Sequence, residues 1–180
     1  VTYMKEINSK VASIFNVQDA IIGIDIIKDD KRIYSKYKTK KQIDVDGLMK
    51  TEEYKALKEI PNSKFQWTFK MVESSEHPGQ LEPQIYVVRK FNAKDTLCIF
   101  QMDPQYFKQI LDLADINPEI PLMIVNQEDQ VIISNDKELI PSGTDLSKEK
   151  YITYINSELD ETKTVPFDEY VLSYYKCSNG

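Results

Sequence analysis

A strand-turn-strand pattern occurs twice in this chain of 180 residues, with the second copy about a hundred residues after the first. The first copy covers residues 20–37 around the acidic turn 28–31, and the second covers residues 122–134 around the polar turn 126–129. Each copy is followed by further strand-like segments, and neither is accompanied by an obvious catalytic motif. The sequence therefore predicts two similar lobes of mixed helix and sheet in series, which favours a tandem sensor module over an enzyme.

The composition is typical of an ordinary globular protein, with 41% hydrophobic residues, 29% charged residues and 5 glycines. The net charge is -6 at pH 7, and the sequence pI is near 4.9. The lysine-rich run 36–41 is followed at once by Asp44 and Asp46, so no basic stripe forms and a nucleic-acid partner is disfavoured. We interpret this run as a solvated loop rim, with a site for an anion or a membrane surface as the alternative.

No segment contains the roughly 20 consecutive apolar residues that a membrane helix needs, so we expect these residues to be soluble. The chain opens inside a helical pattern without a signal peptide, as expected of a piece of a longer protein. Cys98 and Cys177 form no C-x-x-C motif, and His77 is the sole histidine, so the sequence predicts no zinc site. Because Cys98 lies in an apolar strand, it is predicted to be a buried thiol.

Residues 1–18 are predicted to form a long N-terminal signalling helix. Met4, Ile7, Val11 and Ile14 recur at spacings typical of a heptad-like apolar seam. Two interpretations of this seam stay open, namely packing against the two lobes and contact with a second copy of the chain in a dimer.

The first lobe is predicted to span residues 19–116. After the first hairpin we expect a short helix at residues 51–59 with Tyr54, Leu57 and Ala56 facing inward. Asp103 followed by Pro104 is a strong start signal for a helix over residues 105–114. The remaining predicted segments are strands 65–72, 84–91 and 96–102, a polar excursion at 73–83 and a tight turn at 92–95. These elements predict a five-stranded, mostly antiparallel sheet with its helices to one side, which is an α+β lobe.

The second lobe is predicted to span residues 117–180, beyond a stiff connector at 117–121. It is small, and its predicted segments are the second hairpin, a loop around residue 142, a stretch at 151–159, a short strand at 164–167 and a last strand at 169–177.

Several of these segments match a known family when they are taken in order. The second lobe opens with Ile124-Val125-Asn126 and continues with Val131-Ile132-Ile133-Ser134, while the end of the chain carries Tyr170, Tyr174 and Asn179-Gly180. With the N-terminal helix and the larger first lobe, this order resembles the double Cache extracytoplasmic sensor region of bacterial membrane receptors. Trp67 in the third strand makes the chain most similar to sensor histidine kinases of Gram-positive bacteria.

The resemblance implies an α+β fold with a long N-terminal helix and two PAS-like lobes, each an antiparallel sheet with flanking helices. It implies a membrane-distal lobe that holds a small-molecule pocket and a membrane-proximal lobe that relays its state to a histidine kinase. A chemoreceptor or a cyclase is the alternative output, and a homodimer is possible in the full receptor. The family's amino-acid binders carry a Tyr-x-x-x-Arg-x-Trp-Tyr stretch after the first hairpin, which this chain lacks, so an α-amino acid ligand is not supported.

Catalysis is not predicted for this chain. A nucleophile needs a neighbouring base, and His77 lies beside Pro78-Gly79 in a polar loop, where we expect it to be exposed. Acidic pairs lie in turns or at element ends, where solvation explains them. Residues 44–47 begin like a calcium loop but lack its later ligands, so they are interpreted as a turn. No cofactor is predicted.

The predicted ligand-binding residues are Tyr34, Trp67, Tyr86 and Arg89, in a pocket between the first lobe's sheet and residues 34–54. The ligand is of unknown identity. The competing interpretation is a module that binds a partner protein or holds a dimer, with the aromatic residues in the core. Arg89 lies inside an apolar strand, so it must reach solvent, meet an anion or form a salt bridge.

Overall fold

The computed structural model describes residues 2–62, 64–91, 96–113, 120–136 and 138–177, with side chains from residue 5 onward. The helices and strands follow one another in this order: α1 (Thr2–Val17), β1 (Ile21–Lys28), β2 (Lys31–Tyr37), α2 (Val45–Leu48), α3 (Glu52–Lys58), β3 (Phe65–Glu73), β4 (Leu81–Phe91), β5 (Thr96–Met102), α4 (Pro104–Leu113), β6 (Met123–Val125), β7 (Val131–Ser134), α5 (Lys150–Ser157), β8 (Thr162–Phe167) and β9 (Tyr170–Tyr175). The protein is an α+β structure, as predicted. In the described part of the chain, no helix is long and apolar enough to cross a membrane.

A five-stranded antiparallel sheet in the order β2-β1-β5-β4-β3 forms the largest element of the fold. This confirms the predicted sheet, but its helices do not lie to one side as predicted, because α2 and α3 pack on one face and α1 and α4 pack on the other. Asp29 and Asp30 both have positive φ, at 50° and 55°, in the two-residue turn between β1 and β2, which suits the primed turns that match strand twist. The predicted turn at residues 92–95 lies outside the described residues.

Each face of this sheet carries its own hydrophobic core. The face that we call the α3 face packs against the segment that contains α2 and α3, and its core residues are Ile27, Tyr86, Val88, Leu97, Ile99, Ile43, Val45, Leu48, Tyr54, Leu57 and Ile60. The opposite face, which we call the α1/α4 face, packs against α1, α4 and the β6–β7 hairpin. Because side chains alternate between faces along a strand, neighbouring residues serve different cores.

Helix α1 packs against the sheet through the predicted seam. Val11 and Phe15 are buried together with Ile24, Tyr34 and Cys98. Ile7 and Ile14 lie at the edge of this cluster and are half-buried, whereas the side chain of Met4 lies outside the described residues. Packing against the protein body is therefore observed for this helix, and the dimer seam stays a prediction.

The residues after α4 form two separate two-stranded sheets, β6–β7 and β8–β9, with α5 between them. All four residues of strand β7 are buried. Ile132 and Ile133 pack against the α1/α4 face of the large sheet, and Val131 packs with Leu146 and Ile152. The predicted connector at 117–121 falls largely outside the described residues. The division into two lobes at this connector stays a prediction.

Three local predictions need correction. Residues 44–47 do not form a simple turn, because the Asp44 side chain accepts a hydrogen bond from the Gly47 N–H at 2.9 Å and opens the short helix α2. Ala56 is exposed on α3, because the buried residues Tyr54 and Leu57 lie three apart and leave it on the other side. The second hairpin has a longer loop than the first, closed by the Asn126 side chain, which accepts from the N–H groups of Glu128 and Gln130.

Candidate functional site

A cavity of about 840 Å³ lies at one end of the α3 face, between the sheet and the segment from Thr39 to Glu53. Its floor consists of strand residues whose side chains point to this face, namely Lys70 and Val72 of β3, Glu82 and Gln84 of β4, Gln101 of β5 and Asp103 directly after β5. Its cover consists of the loop before α2 together with Leu48, Thr51 and Glu53. The volume lies within the range of small-molecule sites, roughly 300–1,000 Å³.

Gln101 is the most buried polar residue in the cavity wall, with 6% of its surface exposed. Its Oε1 atom is buried and has no hydrogen-bond partner among the residues that the structure describes. The residue lies in the middle of the sheet, paired with Gly23 on one side and Tyr86 on the other. A Cβ atom at Gly23 would overlap the ring of Tyr37, so the glycine lets this ring lie across the sheet beside Gln101.

A polar cluster joins the cover to the floor at one side of the cavity. Glu53 of α3 accepts a short hydrogen bond from the Tyr86 hydroxyl and forms an ion pair with Lys70 at 3.2 Å. The Lys70 Nζ atom also donates to the Tyr86 hydroxyl at 3.3 Å. Burial and the hydrogen bond to Glu53 raise the pKa of Tyr86, so its hydroxyl stays protonated as a donor. This cluster fixes α3 over the sheet.

A second contact holds the other side of the cover. Lys41 forms a short ion pair with Glu82 of β4, and the Ser74 hydroxyl donates to the same carboxylate at 3.3 Å. Of the lysine-rich run, Lys38 also has defined partners, since its Nζ donates to the Gln18 carbonyl at 3.1 Å and lies 5.1 Å from the Phe15 ring centroid. Residues 38–41 are exposed, as expected of a solvated loop rim, and two of their lysines are anchored to the protein by these contacts.

A buried carboxyl group lies further along the same face. Asp25 is 1% exposed and accepts a short hydrogen bond from the Tyr37 hydroxyl. The Arg32 guanidinium lies 3.9 Å from the Asp25 carboxylate and donates at 3.0 Å to Asp46 of α2. Arg32 therefore links the sheet to the cover of the cavity. Burial raises the pKa of Asp25, and the hydrogen bonds from Tyr37 and Ser35 offset part of that effect.

We expect Asp25→Asn to change the pH dependence of stability. Because the folded protein holds the Asp25 proton more tightly than the unfolded chain does, the wild-type free energy of unfolding should fall as pH rises from the ordinary carboxyl pKa of 3.8 through the raised folded pKa. The variant has no carboxyl group at this position, so its free energy of unfolding should not fall in this way. The fall in the wild type amounts to about 1.4 kcal/mol for each unit by which the pKa is raised. Urea unfolding from pH 4 to pH 8 measures the difference, and a gap between the two proteins that does not vary with pH would contradict the assignment.

The structure does not bring the four predicted ligand residues together. Tyr86 lies on the α3 face beside the cavity, where it contacts Glu53 and Lys70. Tyr34, Trp67 and Arg89 have their side chains on the opposite face. The predicted location between the sheet and residues 34–54 coincides with the cavity, but three of the four predicted residues point away from it.

Each of these three residues has structural partners on the α1/α4 face. The Tyr34 hydroxyl donates to the Asn8 side chain at 2.9 Å. Trp67 stacks on Phe69 and meets Phe107 edge-on. The Arg89 guanidinium lies over the rings of Phe65 and Phe91, with its carbon 5.1 and 5.4 Å from their centroids, and its Nε has no hydrogen-bond partner in the described part of the chain.

The polar residues of the cavity floor are not among the residues predicted from the sequence. Leu97 and Ile99 alternate with Cys98 and Phe100 on β5, and the same alternation places Gln101 and then Asp103 on the α3 face. Polar residues that continue a buried strand face are a usable signal for a site, because burial of an unpaired amide is costly. The same signal is present at Lys70 and Gln84.

The other chemistry-bearing residues lie outside the cavity. Both cysteines are free thiols. Cys98 is buried near α1, where burial raises the pKa of its thiol to about 12, and Cys177 is exposed. His77 is exposed in the loop between β3 and β4. Among the residues that the structure describes, no group of three or more His, Cys, Asp or Glu side chains is placed to hold a metal ion.

An antiparallel five-stranded sheet in this order, with short helices covering one face, defines a PAS-like fold. A crystal structure of a domain of a sensory box/GGDEF family protein from Vibrio parahaemolyticus matches the chain with a TM-score of 0.50 and 10% sequence identity. The match covers 92% of this chain and 69% of that one. No protein family matches the sequence, and neither does any curated protein.

Proposed function

We propose that this chain is a sensor input domain that binds a small molecule in the cavity on the α3 face. The observation that carries the proposal is the buried Oε1 of Gln101, an acceptor without a partner in the wall of an open cavity. Buried polar groups in native proteins are normally hydrogen-bonded, and an exception calls for an explanation such as a functional role. Because the surrounding protein covers this atom, the Gln101 amide must turn toward the cavity to accept a hydrogen bond from a donor on a bound molecule.

The order of the sequence segments supports a more specific role. By resemblance to double Cache receptors, the domain is the extracytoplasmic part of a bacterial membrane receptor, with a sensor histidine kinase as its output and a chemoreceptor or cyclase as the alternative. The PAS-like fold, shared with a domain of a sensory box/GGDEF family protein, agrees with a sensory role. The chain itself carries out no turnover under this proposal, and its partner is a small molecule.

A route for the signal begins at the edge of the cavity. The start of α4 lines the cavity through Asp103, Pro104 and Gln105. The Gln105 N–H, one of the first of this helix, donates to the Asp103 carboxylate at 2.9 Å. Further along α4, Phe107 and Leu111 pack with Ile132 and Ile133 of β7. A ligand that moves the start of α4 therefore acts directly on the β6–β7 hairpin, which is the proposed relay.

A cavity-filling substitution tests the site. Gln84 is half-buried on the cavity floor, so Gln84→Trp should place a large ring in the space that a ligand needs. We expect compounds from a thermal-shift metabolite screen to raise the melting temperature of the wild type, since a ligand at 100 times its Kd adds about 2.7 kcal/mol. The same compounds should have no effect on the variant.

Gln127→Trp is the matched control, because Gln127 is exposed in the β6–β7 loop far along the chain from the cavity. Equal melting shifts in Gln84→Trp and wild type would contradict the proposed site. A wild type that responds to no compound in a broad screen favours the alternative of an interaction or dimerisation module.

A further inference from the structure

The charged groups around the cavity are predominantly acidic. Six carboxylates and three lysines line it. Two of the lysines are already neutralised, since Lys41 pairs with Glu82 and Lys70 pairs with Glu53. The four carboxylates outside these pairs are Asp44, Glu73, Glu76 and Asp103, and the one lysine outside them is Lys40. The cavity therefore has a negative potential, which attracts cations and opposes the entry of anions.

The unpaired lining groups also prefer a hydrogen-bond donor. The Gln101 Oε1 is an acceptor with no donor among the described residues, and it reaches a ligand when the amide turns toward the cavity. Asp103 follows two residues later on the same face, and only its Oδ1 atom has a partner among the described hydrogen bonds, the Gln105 N–H at 2.9 Å. An acceptor amide next to a carboxylate suits an ammonium group, which has three donors and no acceptor.

Apolar residues complete the lining of the cavity. Ile22, Ile43, Leu48, Val72 and Pro83 border the cavity beside the polar groups. They offer a surface for a short hydrocarbon or hydroxylated body attached to the cationic head. Among the described residues that border the cavity there is no arginine, which would supply the forked donor that binds a carboxylate or phosphate.

From these observations we propose that the ligand class is a small organic amine whose ammonium group is held by Asp103 and the Gln101 side chain. This proposal rests on the proposed sensor function and adds the chemistry of the ligand. It differs from the anionic ligand that Arg89 would have served, because Arg89 lies on the opposite face.

Three four-carbon compounds that differ mainly in charge test the ligand class by isothermal titration calorimetry on the wild type. These are 1,4-diaminobutane as the cation, succinate as the anion and 1,4-butanediol as the neutral probe. We expect the diamine to bind, with an affinity that falls as salt is raised, and the other two compounds to bind at least tenfold more weakly.

Asp103→Asn tests the position of the ammonium group. Asparagine also caps helices well, so α4 should keep its start while the charge is lost. We expect diamine affinity to fall about 10- to 100-fold, as for a lost charge-assisted hydrogen bond. Glu169→Gln removes the same charge from an exposed position in the last hairpin and should change affinity by less than about twofold. Glu76→Gln, at the exposed rim of the cavity, provides a second variant with a smaller expected loss of affinity.

The outcomes separate the ligand class from the sensor function. If succinate or butanediol binds better than the diamine and Gln84→Trp abolishes that binding, the amine proposal is wrong and the proposed site stands. Equal losses in Asp103→Asn and Glu169→Gln also overturn the assignment of Asp103. If none of the three probes binds and the broad screen finds no ligand, both proposals are overturned.

Discussion

Trp67→Ala should lower the free energy of unfolding by about 2–3 kcal/mol, below the range for a fully buried tryptophan because Trp67 is half-buried, while leaving ligand affinity within about threefold of wild type. Trp67 stacks on Phe69 with ring centroids 5.7 Å apart and an interplanar angle of 15°. It meets the Phe107 ring edge-on at 6.1 Å, so it contacts both the sheet and α4. Its side chain lies on the α1/α4 face, away from the cavity.

Chemical denaturation measures the stability loss, and calorimetry with a ligand from the screen measures affinity. Tyr170→Ala is the control, because Tyr170 is 76% exposed and its truncation should cost less than about 1 kcal/mol. A Trp67→Ala protein of near wild-type stability that no longer binds ligand would restore Trp67 to the binding site.

Ile132→Ala should cost about 2–5 kcal/mol, because Ile132 is fully buried where β7 meets the five-stranded sheet and α4. Deleting its side chain leaves a cavity among Ile85, Trp67 and Phe107, which belong to different elements. The loss should therefore weaken the attachment of the β6–β7 hairpin to the sheet as well as the global stability.

Ile33→Ala is the matched substitution, since Ile33 also lies on a strand but is 42% exposed, and it should cost less than about 1 kcal/mol. Urea unfolding of the two variants, followed by tryptophan fluorescence at Trp67, reports directly on this region. Equal destabilisation by the two substitutions would show that the hairpin contributes little to the core.

The strands of the sheet followed from the sequence because its patterns are local. The alternation from Phe65 to Val72 predicts β3, and the Asp103-Pro104 start signal predicts α4, which the structure begins at Pro104. The acidic turn after Lys28 predicts the first hairpin, which the structure closes with two residues at positive φ. Each of these features is determined by residues that lie close together in the sequence.

The candidate site could not be predicted from the sequence in the same way, because it depends on which face of the sheet each side chain occupies. Apolar strand residues on both faces have the same appearance in sequence, so aromatic residues alone do not indicate a pocket. Trp67 and Tyr86 were proposed together, yet β3 and β4 place them on opposite faces. Gln101 and Asp103 become informative only once the direction of β5 is known.

Arg89 illustrates the same limit for a charged residue. The sequence indicated that its guanidinium needs a partner, with an anion or a salt bridge as the choices. The structure gives it the faces of two aromatic rings, those of Phe65 and Phe91, which come from the paired strands β3 and β4. The contact with Phe65 depends on cross-strand register, which is not visible in a single strand, whereas Phe91 lies two residues from Arg89 on the same strand.

Hydrogen exchange with and without the tightest-binding compound of the screen tests the location of the ligand most directly. A ligand in the cavity should slow exchange in the cover, residues 39–53, and around the start of α4, residues 101–106, because both segments line the cavity. The amides of β8 and β9 should be unaffected. Protection confined to α1, or to residues 123–175, with no change in residues 39–53 would contradict a ligand site on the α3 face.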